Sequence, residues 1–125
     1  MRTRAQPRSC LVRLAFIESS VFTRRISAFG LDESLRRLQV ELLENPLAGD
    51  TDPGTGGLRK IRMADVAQRR GRRGAYRVHY LHLAQHAIIA FVFVFSKSDR
   101  DSLSASQKRA LKATAATIND EWRSA

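Results

Sequence analysis

Apolar and polar positions change period along this chain, and the changes mark its elements. Leu11 to Ser19, "LVRLAFIES", alternate imperfectly and predict a first strand. In "SVFTRRISAFG", Phe22, Ile26 and Phe29 fall at helical spacing, with Gly30 placed to end the helix in a left-handed turn. In "LDESLRRLQVELLENP", Leu31, Leu35, Leu38 and Leu42 share one helix face, Asp32 and Glu33 sit near the start, and Pro46 ends the run. "NPLAGDTDPGTGG" reads as a loop by composition. "LRKIRM" alternates with period two, Ile61 and Met63 on one face, Lys60 and Arg62 on the other. "AYRVHYLHL" does the same, with Val78 and Tyr80 opposed to Arg77 and His79. "HAIIAFVFVF" is almost wholly apolar, as in a strand buried on both faces. In the last segment, Ser104 and Gln107 have capping-box spacing, and Leu111, Ala115, Ile118 and Trp122 form one stripe.

The predicted order is β-α-α-β-β-β-α, an α+β fold. The expected architecture is a small antiparallel sheet with an αα-hairpin on the N-terminal side covering one face, and a C-terminal helix. The other sheet face is expected to lie partly open and to carry cations. With 125 residues and no internal repeat, one domain is expected over residues 11–125, preceded by a disordered basic tail over residues 1–10.

Composition narrows the class of partner. The net charge is +10, and the sequence pI is near 11.2. A small domain this basic usually meets a polyanion. Cys10 is the only cysteine, which excludes an internal disulfide framework and a thiolate zinc site. "AIIAFVFVF" is well short of the roughly 20 apolar residues a membrane helix needs. Arg13 and Glu18 interrupt the apolar part of the start, so it reads as a basic tail rather than a secretory signal. The expectation is a cytoplasmic protein with no membrane partner and no cofactor.

The cations are not spread evenly. Between Gly54 and Tyr80 lie Arg59, Lys60, Arg62, Arg69, Arg70, Arg72, Arg73 and Arg77, against one acid, Asp65. If the two strands pair, Lys60, Arg62 and Arg77 share a face, with cross-strand neighbours about 5 Å apart. Two like charges at about 4 Å repel by about 4 kcal/mol at an effective dielectric near 20. A phosphate between them reverses the sign, held by the planar fork of Arg and the point charge of Lys. The strand residues therefore read as a site. Arg69, Arg70, Arg72 and Arg73 in the connecting hinge read as solvated, or as loose phosphate steering. His79 and His82 have opposite parity and His86 lies past the turn, which argues against a metal site. His79 is either an acid–base group or a polar contact. "GTGG" lacks the context of a phosphate loop and reads as a turn.

The segments "FIESSVF", "LQVELLENPLAGD", "GTGGLRKIRMA", "RRGAYRVHY", "FSKSDRDSLSASQKRAL" and the terminal "EW" resemble a HigB-type toxin of the RelE/ParE superfamily, over roughly residues 14–122. That resemblance implies a messenger-RNA-cleaving toxin acting at the ribosome. It also implies a cognate antitoxin, a helix-turn-helix protein from an adjacent gene, as partner. It places the catalytic set on Lys60, Arg62, Arg77 and Lys97. Arg59, Arg69, Arg70, Arg72, Arg73 and His79 are then expected to contact RNA.

Metal-independent cleavage makes the 2′-OH attack its own phosphate, which needs a base, stabilisation of the phosphorane and an acid for the 5′ oxygen. Lys60 takes the base's role, Arg62 and Arg77 hold the phosphate, and Lys97 or His79 protonates the leaving oxygen. Two positions depart from the resemblance. Leu103 stands where some relatives carry a tyrosine, and Ser98 follows Lys97 where close relatives often have an amide. The alternatives are a ParE-like gyrase inhibitor and a non-catalytic RNA- or ribosome-binding protein.

Overall fold

A computed structural model describes residues 2–4, 14–67, 76–96 and 103–123, the first three through their backbone alone. Among them are six strands and three helices in an α+β arrangement. Strand β1 (Arg2–Arg4) pairs antiparallel with β2 (Ala15–Glu18). Part of the segment expected as a disordered tail thus forms an edge strand. Ser19 caps helix α1 (Ser20–Phe29), its hydroxyl accepting from the Phe22 amide at 3.1 Å, and Gly30 ends it at φ 67°. Helix α2 (Asp32–Glu44) carries Asp32 and Glu33 in its first turn, where acids complement the helix dipole.

The chain then forms β3 (Asp50–Thr51), β4 (Arg59–Met63), β5 (Tyr76–Leu83), a 3-10 turn at Ala84–His86 and β6 (Ile88–Ser96). Helix α3 (Ala105–Arg123) closes the order. Its capping box is formed in both directions. The Ser104 amide donates to Gln107 Oε1 at 2.9 Å, and the Gln107 amide to Ser104 Oγ at 3.2 Å.

The sheet runs β1-β2-β6-β5-β4-β3. It is mixed, not antiparallel as expected, because β2 lies parallel to β6, with Phe16 opposite Ile89. The two helices of the hairpin carry the chain across the sheet. After β4 and β5, β6 comes back beside β2 in the same direction. Each strand's own alternation held, but relative strand direction is a long-range property that alternation does not encode.

Two cores flank the sheet. Under α1 and α2, Phe22, Ile26, Leu35 and Leu42 meet Phe16, Val78, Tyr80 and Phe91, the rings of Phe22 and Phe91 stacking at 5.1 Å. On the other face, Leu111, Ala115 and Ile118 of α3 meet Ile17, Leu81, Ile88, Ala90 and Val92. Helix α3 therefore packs on the face expected to lie partly open, over β2, β6 and the C-terminal half of β5, while Arg62 on that face stays exposed. A bulge opposite His79 and Tyr80 skips Val92 in the β5–β6 pairing, so Val92 and Phe93 both turn toward α3. Tyr80 pins the loop that feeds β3. Its hydroxyl donates to Pro46 O at 2.7 Å and accepts from the Gly49 amide at 3.0 Å. A Cβ on Gly49 would stand 2.9 Å from the Tyr80 ring and 3.0 Å from Lys60 O, so only glycine fits there.

Candidate functional site

The β4–β5 register places Lys60 opposite His79 and Arg62 opposite Arg77. Directly opposed residues share a face, so Lys60, Arg62, Arg77 and His79 are brought together on the α3 side of the sheet. They differ sharply in exposure. Arg62 is exposed, Lys60 half-buried, Arg77 6% exposed and His79 wholly buried. Arg59 points to the opposite face, where its guanidinium donates to Gly49 O at 2.7 Å. Lys97, Arg69, Arg70, Arg72 and Arg73 lie outside the described residues.

The ordered chemistry beside Lys60 centres on an acid that sequence analysis passed over. Asp52 follows β3 in the loop that turns into β4. Its Oδ2 lies 2.7 Å from His79 Nε2, and its Oδ1 accepts from Lys108 Nζ at 3.2 Å. Lys108 also donates to Pro53 O at 3.2 Å. The loop is fixed from within: Asp52 N donates to Leu58 O at 2.9 Å and Thr55 Oγ1 to Asp52 O at 2.6 Å. It lies close against α3, since a Cβ on Gly56 would meet Lys112 Cγ at 3.1 Å. Gly54, Gly56 and Gly57 all adopt positive φ, which glycine alone takes at no steric cost. "GTGG" is thus the turn that sequence analysis expected, and it also lets the loop approach α3.

Electrostatics fix the protonation states. Burial opposes ionisation of Asp52. Hydrogen bonds from His79 and Lys108, with the Lys60 charge, outweigh it and hold the carboxyl below its ordinary value. Burial pushes His79 below its ordinary value. The Asp52 contact opposes this, and the Lys60 and Lys108 charges reinforce it. His79 is then neutral at neutral pH. Because the ionised Asp52 can only accept, His79 Nε2 carries the proton and donates it, which leaves Nδ1 as the acceptor. Nδ1 is buried without a hydrogen-bond partner, and the ring stacks on Phe95 at 5.9 Å. A neutral, fully buried imidazole bonded to a carboxylate is suited to orienting that carboxylate.

Sequence analysis placed the three strand cations and His79 on one face, as the register does, and did not single out Asp52 and Lys108. The available signal was an acid in a glycine-rich loop immediately before a basic strand. Lys108 gave none, because the helix pattern shows only that it lies off the apolar stripe. No protein-family model matches the chain. Among the described residues, no group of three or more His, Cys, Asp or Glu side chains is placed to hold a metal ion, and no helix is long and apolar enough to cross a membrane.

Proposed function

We propose that this protein is a ribosome-dependent endoribonuclease that cuts messenger RNA, the toxin of a toxin–antitoxin pair. The observation that carries the reading is the register that puts Lys60, Arg62 and Arg77 on one sheet face with His79. Three cations at neighbouring register positions suit a phosphodiester whose charge grows in the transition state. The resemblance to HigB-type toxins points the same way and supplies the substrate class. In this reading Arg62, Arg77 and the Lys60 ammonium stabilise the phosphorane, the 2′-OH proton leaves to solvent, and Lys97 gives a proton to the 5′ oxygen. His79, buried and neutral, serves from behind by holding Asp52.

The test is induced expression followed by mapping of messenger RNA 5′ ends, with purified protein on programmed ribosomes in parallel. New 5′ ends at A-site codons, strongly reduced for Arg77→Lys, are expected. Intact messenger at high levels of folded protein would overturn the reading.

The burial of Arg77 favours a second reading, a non-catalytic RNA- or ribosome-binding protein, since a catalytic arginine must reach its phosphate. The same experiment separates the two, because a binding module associates with ribosomes and leaves no new ends.

A further inference from the structure

A buried ion pair is seldom a source of net stability, because removing both charges from water costs about what their attraction returns. The Asp52 carboxylate is 6% exposed and spends both oxygens on side chains, His79 on one side and Lys108 on the other. Lys60 lies directly opposite His79 in the sheet, and its charge acts on Asp52 and His79 alike. One ammonium group, from α3, thus binds the carboxylate, and a second, from β4, lies near enough for its charge to act on it. The hidden half of the cluster is the Asp52–His79 pair. The accessible half is the two lysines, Lys60 half-buried and the Lys108 side chain 29% exposed.

We propose that Lys60 and Lys108 form a two-lysine seat for an RNA phosphodiester, built on the buried Asp52–His79 pair. The inference rests on the RNA-cleaving reading for its ligand and adds Lys108, on the last helix, to the groups that touch the backbone. Asp52 is the resting counter-ion: it offsets the repulsion between the two lysines before RNA arrives. His79 fixes the direction of the carboxylate, so that Oδ1 faces Lys108. The glycine-rich loop brings Asp52 to α3, with Gly54 close to the Lys108 stem, a Cβ there lying 3.7 Å from Lys108 Cδ. A phosphate oxygen bound at the seat replaces part of what the carboxylate supplies to each lysine. Lys108 can turn toward it without unfolding α3, because the side chain is long and its end is partly solvated.

The test uses the whole chain and a short 2′-O-methyl RNA, which cannot be cut by 2′-OH attack. In wild-type protein labelled with 15N, the Lys60 and Lys108 ammonium resonances are expected to shift together on titration with this RNA. A Lys108 signal that stays in place at saturation overturns the proposal. Lys108→Gln is expected to lower the slope of log affinity against log salt by about one, and Lys108→Arg to keep it. An unchanged slope in a folded Lys108→Gln protein means that Lys108 serves only to brace Asp52, and it overturns the seat. If Lys108→Gln does not fold, the wild-type titration decides alone. Cleavage is scored separately on programmed ribosomes. A protein that binds RNA through both lysines but cuts nothing refutes the endoribonuclease and keeps the seat.

Discussion

His79 shows how one buried side chain ties stability to pH. Burial holds its folded-state value below the ordinary 6.5. As pH falls through 6.5, the unfolded chain takes up a proton that the folded chain refuses, so stability drops until the folded value is passed. Asp52 acts in the same direction at lower pH. Its value is held below the ordinary 3.8, and its contribution, full above 3.8, is lost as pH falls through the folded value. His82, lowered by burial and by the Arg59 charge, has the same sign as His79. Thermal melts are therefore expected to fall steadily from pH 7.5 to pH 5. His82→Gln should leave a slope in that window, and the double variant Asp52→Leu/His79→Leu should remove most of it. A double variant with the wild-type slope would place the titration elsewhere. At neutral pH the same variant should melt lower than wild type only by what Lys108 loses with Asp52, since removing both partners of a buried hydrogen bond is close to neutral. Asp52→Leu alone should melt lower still, because it also leaves His79 Nε2 unbonded in the core.

Arg77 argues differently. It is 6% exposed and sits between Arg62 and Phe95 in the register, so truncation removes packing as well as charge. Arg77→Lys is the sharper test, because it keeps the stem and the charge and loses only the planar fork. On programmed ribosomes it should cut about 10²-fold more slowly in single turnover, with ribosome affinity within a few-fold of wild type. Wild-type cleavage by Arg77→Lys would take the arginine out of the reaction.

At the scale of elements, the parts legible in the sequence were those that depend on near neighbours. Phe22 and Ile26 on α1, the four leucines of the second helix and its lead-in, and the Ser104–Gln107 box all rest on spacing within a turn or two. The alternation of β4 and β5 placed Lys60, Arg62 and Arg77 on one face for the same reason. What escaped was set by distance along the chain. Asp52 and Lys108 are 56 residues apart, and neither shows its partner in its own neighbourhood. The parallel β2–β6 pairing and the burial of Leu111, Ala115 and Ile118 against β2, β5 and β6 are likewise long-range choices. The α3 cap lends itself to measurement. Ser104→Ala removes the acceptor of the Gln107 amide and should cost about 1 kcal/mol. Gly56→Ala forces a side chain into positive φ against Lys112, and so should also lower the melting temperature. If it does not, the loop is less tightly held to α3 than the 3.1 Å approach implies.

At the scale of the whole molecule, the charge sets how the protein would meet RNA in the proposed reading. A net charge of +10 on 125 residues gives a field that draws any polyanion, whatever its sequence. Most of that attraction is non-specific, and it fades with salt as counterions cease to be released. Ribosome or RNA affinity should therefore fall at least about tenfold between about 50 and 200 mM salt. The hinge cations and the strand cations should separate under this test. Arg72 and Arg73 lie in the run "RRGRR", where charge is dense and no apolar position anchors a strand. Replacing both with alanine should flatten the salt slope by about two and leave the cleavage rate at saturating protein unchanged. Arg62 sits in β4, opposite Arg77, on the face proposed to carry the reaction. Arg62→Ala should change the slope by no more than about one, yet slow cleavage at saturation, because its contact strengthens as charge builds on the phosphorane. Measuring both quantities for both variants decides between steering and chemistry. If the Arg72/Arg73 variant binds as tightly as wild type but no longer cuts, the hinge belongs to the proposed reacting centre, which then extends beyond β4 and β5.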